Sequence, residues 1–256
     1  MTELEFNFNT AIDFSSAVTD HVFALHCLPI EDQRQKITSF QITLEPQCNY
    51  ALRRDGFGCW QVSGSILSPH NRFVYTAHGI ARVDHSGPDH SFHPVFSHQT
   101  PLTRPDEAIY QLWKDIPLTG KSPEQKAERL NLAVSEAIRY RPGETDNATT
   151  AAESLSKGAG VCQDYTHILL SVARLSGFAA RYCMGLIPGI GATHAWAEIA
   201  MPSGWIGFDP TRKCVVGEDY LRFAVGRDAA DCRVESGVMR GTAVQTLKSQ
   251  MELKIR

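Results

Sequence analysis

The chain has 256 residues, enough for one large or two modest domains with a buried core. Hydrophobic residues make up 43% and charged residues 21%, the balance of a soluble globular protein. The net charge of −3 provides no basic surface for nucleic acid and no attraction to an anionic membrane, so we expect neither partner.

The N-terminus and the cysteines indicate the compartment. Met1–Phe8 carries acidic residues and lacks the apolar core of a secretory signal. No segment approaches the ~18 apolar residues of a transmembrane helix. The seven cysteines are odd in number and contain no CxxC pair. These features predict a cytoplasmic protein with reduced thiols.

Short segments in which apolar and polar residues alternate predict β-structure in the first part of the chain. Strands are expected between residues 17 and 46, at Trp60–Leu67 and from Phe73 to Asp84, with a turn at Gly56–Gly58. This spacing indicates an antiparallel sandwich or barrel over about residues 1–100.

The segment from residue 78 to 98 is rich in histidine, at His78, His85, His90, His93 and His98. Clustered histidines with nearby aspartates can bind a metal ion. However, the segment has no helical or CxxC-type spacing that would fix ligand geometry. We therefore expect a solvated linker and no metal site, with metal binding as the alternative.

Helical signals follow Pro105. A short helix is predicted from Asp106 to Trp113. Ser122–Gln125 is a capping box with proline at the first helical position, and the helix that it begins should end at Pro142-Gly143. Thr150–Glu153 is a second capping box.

The sequence of residues 158–162 predicts a loop with two glycines, followed by a cysteine in the first turn of an apolar helix. Gly177 is expected to end that helix. The unpaired N–H groups and partial positive charge at a helix N-terminus favour a thiolate. The alternative is a buried structural cysteine.

Strands are predicted at Ala179–Leu186, Thr193–Ile199 and Gly204–Asp209. If the last two form a hairpin centred between residues 201 and 202, Asp209 lies directly opposite His194, where a carboxylate could orient a general base. Alone, His194 could be a core histidine and Asp209 a turn residue. Together with Cys162, the two favour nucleophilic catalysis.

Three motifs in this order carry a family resemblance: GVCQDY at 160–165, THAWAE at 193–198 and GWIGFDPT at 204–211. The chain strongly resembles the transglutaminase-like superfamily, and most of all its bacterial cysteine peptidases, which have an N-terminal β domain before a papain-like core. Phe23–Pro46 and Phe223–Asp231 resemble flanking segments of that family.

The resemblance implies an α+β fold. An N-terminal antiparallel β domain would occupy residues 1–104, and a papain-like, transglutaminase-like catalytic domain would occupy residues 105–256. In that domain, a helix carrying the cysteine packs on an antiparallel sheet carrying the histidine and the aspartate. Strands after residue 232 are expected to pack back on the N-terminal domain.

By the same resemblance, Cys162 is the nucleophile, His194 is the general base and then the general acid, and Asp209 orients the imidazole. The implied mechanism requires no cofactor. The backbone N–H of Cys162 is the expected oxyanion donor. Tyr140 is a candidate side-chain donor, with an ordinary packing role as the alternative.

Other residues near the motifs are assigned to the cleft as expectations, namely Gln163, Asp164, Trp196 and Trp205. Asp164 could also complement the helix dipole, and core packing is the alternative for the tryptophans. His167 lies off the helical face of the nucleophile and is rejected as the base. The remaining late cysteines are interpreted as structural, at Cys183, Cys214 and Cys232.

The expected activity is hydrolysis of a peptide or amide bond through a thioester, with a peptide or protein as substrate. The alternatives are glutamine transamidation by the same triad and a non-catalytic peptide-binding module. The fold alone does not distinguish among these functions. The oligomeric state is left open by the sequence.

Overall fold

A computed structural model describes residues 1–87, 89 and 91–256 of the chain. It shows a mixed α and β protein whose main sheets are antiparallel, with helices following the first group of strands. This arrangement confirms the predicted α+β fold class.

The strands are numbered in chain order. They are β1 (Thr2–Leu25), β2 (Gln35–Glu45), β3 (Tyr50–Arg54), β4 (Trp60–Ile66), β5 (His70–Val83), β6 (Arg139–Tyr140), β7 (Ala159–Gly160), β8 (Ala180–Leu186), β9 (Gly189–Gly191), β10 (His194–Met201), β11 (Gly204–Asp209), β12 (Cys214–Val215), β13 (Leu221–Gly226), β14 (Glu235–Arg240) and β15 (Gln245–Ile255). The helices are α1 (Glu107–Asp115), α2 (Pro123–Ala137), α3 (Ala151–Lys157) and α4 (Cys162–Leu175), and a 3₁₀ turn spans Pro94–Ser97.

The long strand β1 organises the larger sheet, whose main order is β2-β5-β1-β15-β9. Leu4, Phe6 and Phe8 alternate with more exposed neighbours and are fully buried, which is the pattern of a strand with one face on the core. The prediction that strands begin near residue 17 is therefore wrong, since β1 begins at Thr2.

The two C-terminal strands pair with the N-terminal strand β1. β15 pairs with the first half of β1, from Leu4 to Phe14, and β14 pairs with its last residues. β15 also pairs with β9, which joins the tip of the β8–β10 hairpin to the larger sheet. The division of the chain at residue 104 stays a prediction.

The smaller sheet has the order β12-β11-β10-β8-β13, and α4 packs against β8 and β10. The inward face of α4 is apolar, and Ile168, Leu169 and Val172 are fully buried. Because apolar burial stabilises by roughly 25 cal/mol per Å², this packing fixes the helix on the sheet. The start of α4 is thereby held beside the start of β10.

On β8, β10 and β13 a buried ion network adds to the strand pairing. Arg181 donates to Glu198 at 2.6 Å, and Arg222 lies 3.5 Å from the other oxygen of the same carboxylate. These charged side chains are almost completely buried. Burial alone would disfavour ionised Glu198, but the two guanidinium groups more than compensate and lower its pKa.

Helix starts follow the sequence signals closely. Ser122 and Thr150 both form the predicted capping boxes of α2 and α3. The end of α2 differs, because the helix stops at Ala137 and not at residues 142–143. The chain becomes extended there, and β6 pairs in parallel with β7, which places Tyr140 beside Gly160.

Candidate active site

Cys162 is the first residue of α4, as predicted. The N–H groups of the first helical turn have no intrahelical acceptor, and they concentrate the positive end of the helix dipole. The thiol is partly exposed and lines a cavity of about 230 Å³ together with His194. The local structure therefore presents this sulfur to an open cleft.

Asp164 fixes the start of α4 rather than lining the cleft. Its Oδ2 accepts the backbone N–H of Val161 and the hydroxyl of Thr145, both at 2.7 Å. The carboxyl is buried, and this burial raises its pKa despite those hydrogen bonds. A side chain added at Gly160 would meet this carboxyl at 2.6 Å, so glycine permits the close packing. Of the two roles weighed for Asp164, the structure shows the one at the helix terminus.

His194 and Asp209 are brought together, with Nε2 of the imidazole 2.7 Å from Oδ2 of the carboxylate. The predicted register of the hairpin is nevertheless wrong. Met201 pairs with Gly204 across the two-residue turn of Pro202 and Ser203, so the hairpin is centred one residue later than expected. The resulting shift moves the pairing by two positions. Because side chains alternate with a period of two, the histidine and the aspartate still share a face as diagonal neighbours.

The Asp209 carboxylate is fully buried and accepts four hydrogen bonds. Oδ1 accepts the backbone N–H groups of Thr211 and Arg212, at 2.9 and 3.1 Å. Oδ2 accepts the Tyr220 hydroxyl at 2.9 Å in addition to the imidazole. Burial would raise the pKa of Asp209, but the contact with His194, followed by the other donors, holds it below its usual value. An ionised carboxylate only accepts, so Nε2 of His194 is the protonated nitrogen.

Tyr220 is a residue of the site that the sequence did not reveal. It lies eleven residues after Asp209, beyond a turn and the short strand β12, and its ring packs edge-on against Trp196 with centroids 5.2 Å apart. No local spacing in the sequence indicates this contact. Only the smaller sheet brings the hydroxyl back to the carboxylate.

The protonation of His194 follows from these neighbours. Burial lowers the pKa of the imidazole, but the hydrogen bond to Asp209, the interaction with Cys162 and the charges of both raise it to about 9. Since Asp209 occupies Nε2, Nδ1 is the nitrogen left for Cys162. The arrangement can hold an imidazolium next to the sulfur of Cys162 at neutral pH.

Tyr140 lies on the wall of the same cavity, 54% exposed. Burial and the charge of Cys162 raise the pKa of its hydroxyl, which therefore remains a donor at neutral pH. Gln163 points elsewhere, donating to the carbonyl of Asp146 at 3.4 Å.

The two tryptophans assigned to the cleft are core residues instead. Trp196 is fully buried beneath His194, with the two rings stacked 6.3 Å apart. Trp205 lies near the turn end of the β10–β11 hairpin, packed on Phe96 and Arg181. Their assignment to the cleft lining is wrong, because both rings are almost completely buried in the core. The Trp196 ring packs against the imidazole of His194.

His167 and the other late cysteines take no part in this cleft. His167 is completely buried, and its Nε2 accepts the backbone N–H of Ala229 at 3.2 Å. Cys183 and Cys232 are buried, whereas Cys214 is partly exposed, with its sulfur 3.5 Å from the Tyr220 hydroxyl.

Of the histidine-rich segment, His90 lies outside the described residues. His93 caps the 3₁₀ turn through its Nδ1. Within residues 1–87, 89 and 91–256, no group of three histidine, cysteine or acidic side chains is arranged to hold a metal ion.

In the same part of the chain, no helix is both long and apolar enough to span a membrane. The cytoplasmic location stays a prediction.

Two families match this chain. The transglutaminase-like superfamily matches residues 111–210, and the bacterial transglutaminase-like N-terminal region matches residues 4–82. An uncharacterized protein of Mycobacterium tuberculosis is 28% identical over 273 residues, which cover 90% of this chain and 85% of that protein. An uncharacterized protein of Mycobacterium leprae is 32% identical over 126 residues, 45% of each chain.

A solved structure from Cytophaga hutchinsonii, described as that of "a Putative Cysteine Protease", has the same fold. It matches with a TM-score of 0.80 at 20% identity, over 100% of this chain and 91% of the other. The two matches follow the same order along the chain as the two groups of elements described above: residues 4–82 are similar to the bacterial transglutaminase-like N-terminal region, and residues 111–210, which contain Cys162, His194 and Asp209, are similar to the transglutaminase-like superfamily.

Proposed function

We propose that the protein is a cysteine-dependent hydrolase of peptide or amide bonds. The observation that supports this most is the arrangement of His194, which is held on Nε2 by the buried Asp209 and lies in one cavity with Cys162 at the start of α4. A nucleophile, a base and a group that orients the base are the components that this chemistry uses.

In the proposed reaction, the thiolate of Cys162 attacks the carbonyl carbon of the substrate. The carbon–nitrogen bond then breaks as the His194 imidazolium gives its proton to the leaving amine, and a thioester remains on the cysteine. Neutral His194 next takes a proton from water, which attacks the thioester and releases the acid. Asp209 keeps the imidazole oriented and favours its charged form throughout.

The tetrahedral intermediates place negative charge on the former carbonyl oxygen. The backbone N–H of Cys162 is the proposed donor to this oxygen, because the first N–H groups of a helix lack intrahelical acceptors. Tyr140 on the cavity wall is the proposed second donor. Replacing Tyr140 by phenylalanine should then lower kcat more than it changes KM, because the bond forms only in the transition state.

The first test measures whether Cys162 is an activated nucleophile. Iodoacetamide at mildly acidic pH should alkylate Cys162 ahead of the other thiols, with the site assigned by mass spectrometry. Burial raises the pKa of Cys27 and Cys59 to about 12, so these thiols should react slowly. Cys48→Ala serves as the control for removal of a partly exposed thiol. If Cys162 reacts no faster than the remaining cysteines, the proposal fails.

The second test separates hydrolysis from transamidation. Wild-type protein and Cys162→Ala are incubated with peptide mixtures, including cell-wall peptides, in the presence and absence of a primary amine. Cleavage products that require Cys162 and no amine support the hydrolase. Amine adducts without cleavage would instead assign a transamidase using the same residues.

A further inference from the structure

A second cavity lies in the N-terminal β region, and its lining residues differ from those of the Cys162 cavity. The pairing of β1 with β5 is interrupted between Asp13 and Val18, and a bulge of this kind bends a strand. β15 pairs with β1 before the interruption, whereas β14 pairs with β1 after it. A cavity of about 490 Å³ lies at this corner, lined mainly by residues of β1, β14 and β15.

The lining comes from the core-facing side of these strands. His21 lies on the same face of β1 as the buried Leu25, because side chains alternate with a period of two. Glu235 of β14 lies directly opposite Leu25. Leu247 of β15 lies directly opposite the buried Ile12. Leu247 is nevertheless 57% exposed, so the core does not fill the corner between the strands.

His21 brings a free acceptor to the cavity wall. Nδ1 of His70 donates to the carbonyl oxygen of Ser68 at 3.0 Å, because a carbonyl only accepts. In the uncharged pair of rings, Nε2 of His70 is then an acceptor, and Nδ1 of His21 donates to it at 3.2 Å. Nε2 of His21 is left with a lone pair and, among the described residues, without a hydrogen-bond partner. Burial and the neighbouring His70 lower the pKa of His21 to about 4, so its ring is uncharged at neutral pH.

Glu235 is the second acceptor. Its Oε2 is buried and has no hydrogen-bond partner among the described residues. Burial raises the pKa of this carboxyl to about 7, and the nearby Tyr75 hydroxyl offsets the rise only in part. A buried carboxylate without a matched donor is unfavourable, whereas a bound cation that donates hydrogen bonds stabilises it. The carboxyl is therefore suited to a ligand that carries N–H donors and a positive charge.

Arg233 is the other charged residue in the lining. Its side chain is exposed, and a guanidinium in contact with water interacts only weakly with other charges. Glu235 is half-buried and His21 is almost completely buried, so the titratable groups inside the cavity are acceptors. These positions favour a cation inside the cavity over an anion, whose partner Arg233 lies at the surface.

The volume of the cavity is that of a site for a whole small molecule. About 490 Å³ lies within the ~300–1,000 Å³ of sites that enclose such a ligand. Leu247 and Met239, which are both at least partly exposed, add apolar surface to the wall. An occupant that fills the cavity therefore has a small apolar body in addition to its donors.

We propose that this cavity binds a small organic ammonium ion that carries an apolar body. The ammonium group donates to Glu235 and to Nε2 of His21, and the body packs against Leu247 and Met239. The site makes the N-terminal β region a ligand-binding unit in its own right. The proposal is independent of the proposed function, since it uses no group of the Cys162 cavity.

The test compares three probes that have the same ring and different charges. At about pH 8 benzylamine is a cation, benzyl alcohol is neutral and benzoate is an anion, and Glu235 is ionised because its pKa is about 7. Each probe is titrated into the full chain by NMR and by calorimetry. Benzylamine should bind about tenfold more tightly than either analogue and should shift the ring signals of His21. Equal affinities, or a preference for benzoate, would overturn the proposal.

Two variants test the assigned acceptors. Glu235→Gln keeps the size of the side chain and removes its charge, so it should weaken benzylamine binding about tenfold and leave benzyl alcohol binding unchanged. His21→Phe keeps a ring among the aromatic neighbours Phe14 and Phe73 but removes the acceptor, and it should weaken benzylamine binding about threefold.

The matched control is Asp13→Asn, which removes a carboxylate of β1 that forms a surface ion pair with Arg72. This variant should bind benzylamine as the wild type does. The dispersed NMR spectrum of each variant establishes that it is folded. Wild-type affinity in folded Glu235→Gln would refute the site, and so would an equal loss of affinity in Asp13→Asn, which would indicate a general effect of charge.

Discussion

Replacement of Asp209 by asparagine is the sharpest perturbation of the candidate site. Asparagine is nearly isosteric, and its amide oxygen can still accept the backbone N–H groups of Thr211 and Arg212. Its NH₂ group would then face His194 and Tyr220, which both donate to the native carboxylate. The imidazole must present a lone pair at Nε2, so its proton moves to Nδ1. That tautomer cannot accept the proton of Cys162.

The magnitude follows from the pKa of His194. The rise from 6.5 to about 9 corresponds to about 3 kcal/mol in favour of the imidazolium, achieved against the opposing effect of burial. Asp209 provides the first of the contributions that raise this pKa. Loss of about 3 kcal/mol should lower kcat/KM by on the order of 10²-fold.

The pH dependence has a definite sign. Imidazolium is needed to protonate the leaving amine, so wild-type activity should persist below pH 9 and fall as the pH rises through about 9. In Asp209→Asn this decline should occur at a lower pH, since burial then acts with less opposition.

The measurements are the NMR titration of the His194 ring and the pH profile of Cys162 alkylation or peptide hydrolysis. Asp13→Asn is the control, because it removes a carboxylate that forms a surface ion pair with Arg72. A His194 ring that still titrates near pH 9 in Asp209→Asn would refute the electrostatic account of the site.

Three further predictions concern single side chains. Tyr220→Phe removes the 2.9 Å hydrogen bond to Asp209 and should lower kcat/KM about tenfold, or about 1.5 kcal/mol; unchanged kinetics would show that the hydroxyl is dispensable. Glu198→Ala leaves Arg181 buried without this partner and should lower the free energy of unfolding, measured in urea, by about 3–5 kcal/mol, the range found for broken buried ion pairs. A decrease below about 1 kcal/mol would contradict this. Burial raises the pKa of Glu235 to about 7, so stability should fall as the pH rises from about 4.5 to about 7, and Glu235→Gln should abolish that slope; a slope that persists in the variant would assign it to another group.

The features that the sequence revealed are those held by local hydrogen bonds. The capping boxes at Ser122 and Thr150 close within three residues, so residue types at fixed spacing are sufficient to place them. The start of α4 is similar, since Asp164 reaches back to Val161 within one turn. The position of Cys162 at a helix N-terminus could be predicted for that reason.

Features that depend on contacts between segments far apart in the sequence could not be predicted. The contact of Tyr220 with Asp209 needs β12 and β13 in place, and the pairing of β9 with β15 joins segments about sixty residues apart. Trp205 was misplaced for the same reason, because its partners Phe96 and Arg181 come from two other parts of the chain. Residue type alone does not specify which aromatic ring faces a cleft.

The β10–β11 hairpin explains why His194 and Asp209 were predicted to be neighbours although the predicted register was wrong. A shift of one position would have put His194 and Asp209 on opposite faces, whereas the observed shift of two keeps them together. The diagonal arrangement also explains the buried environment of the carboxylate. Asp209 lies at the end of β11, where the backbone N–H groups of the following turn are free to bind Oδ1 while Oδ2 faces the imidazole. Direct opposition in mid-strand would have left those N–H groups in the ladder, and the carboxylate with fewer donors. The contact with His194 contributes most to keeping the pKa of this buried carboxylate low, and the end of the strand at residue 209 adds backbone donors to it.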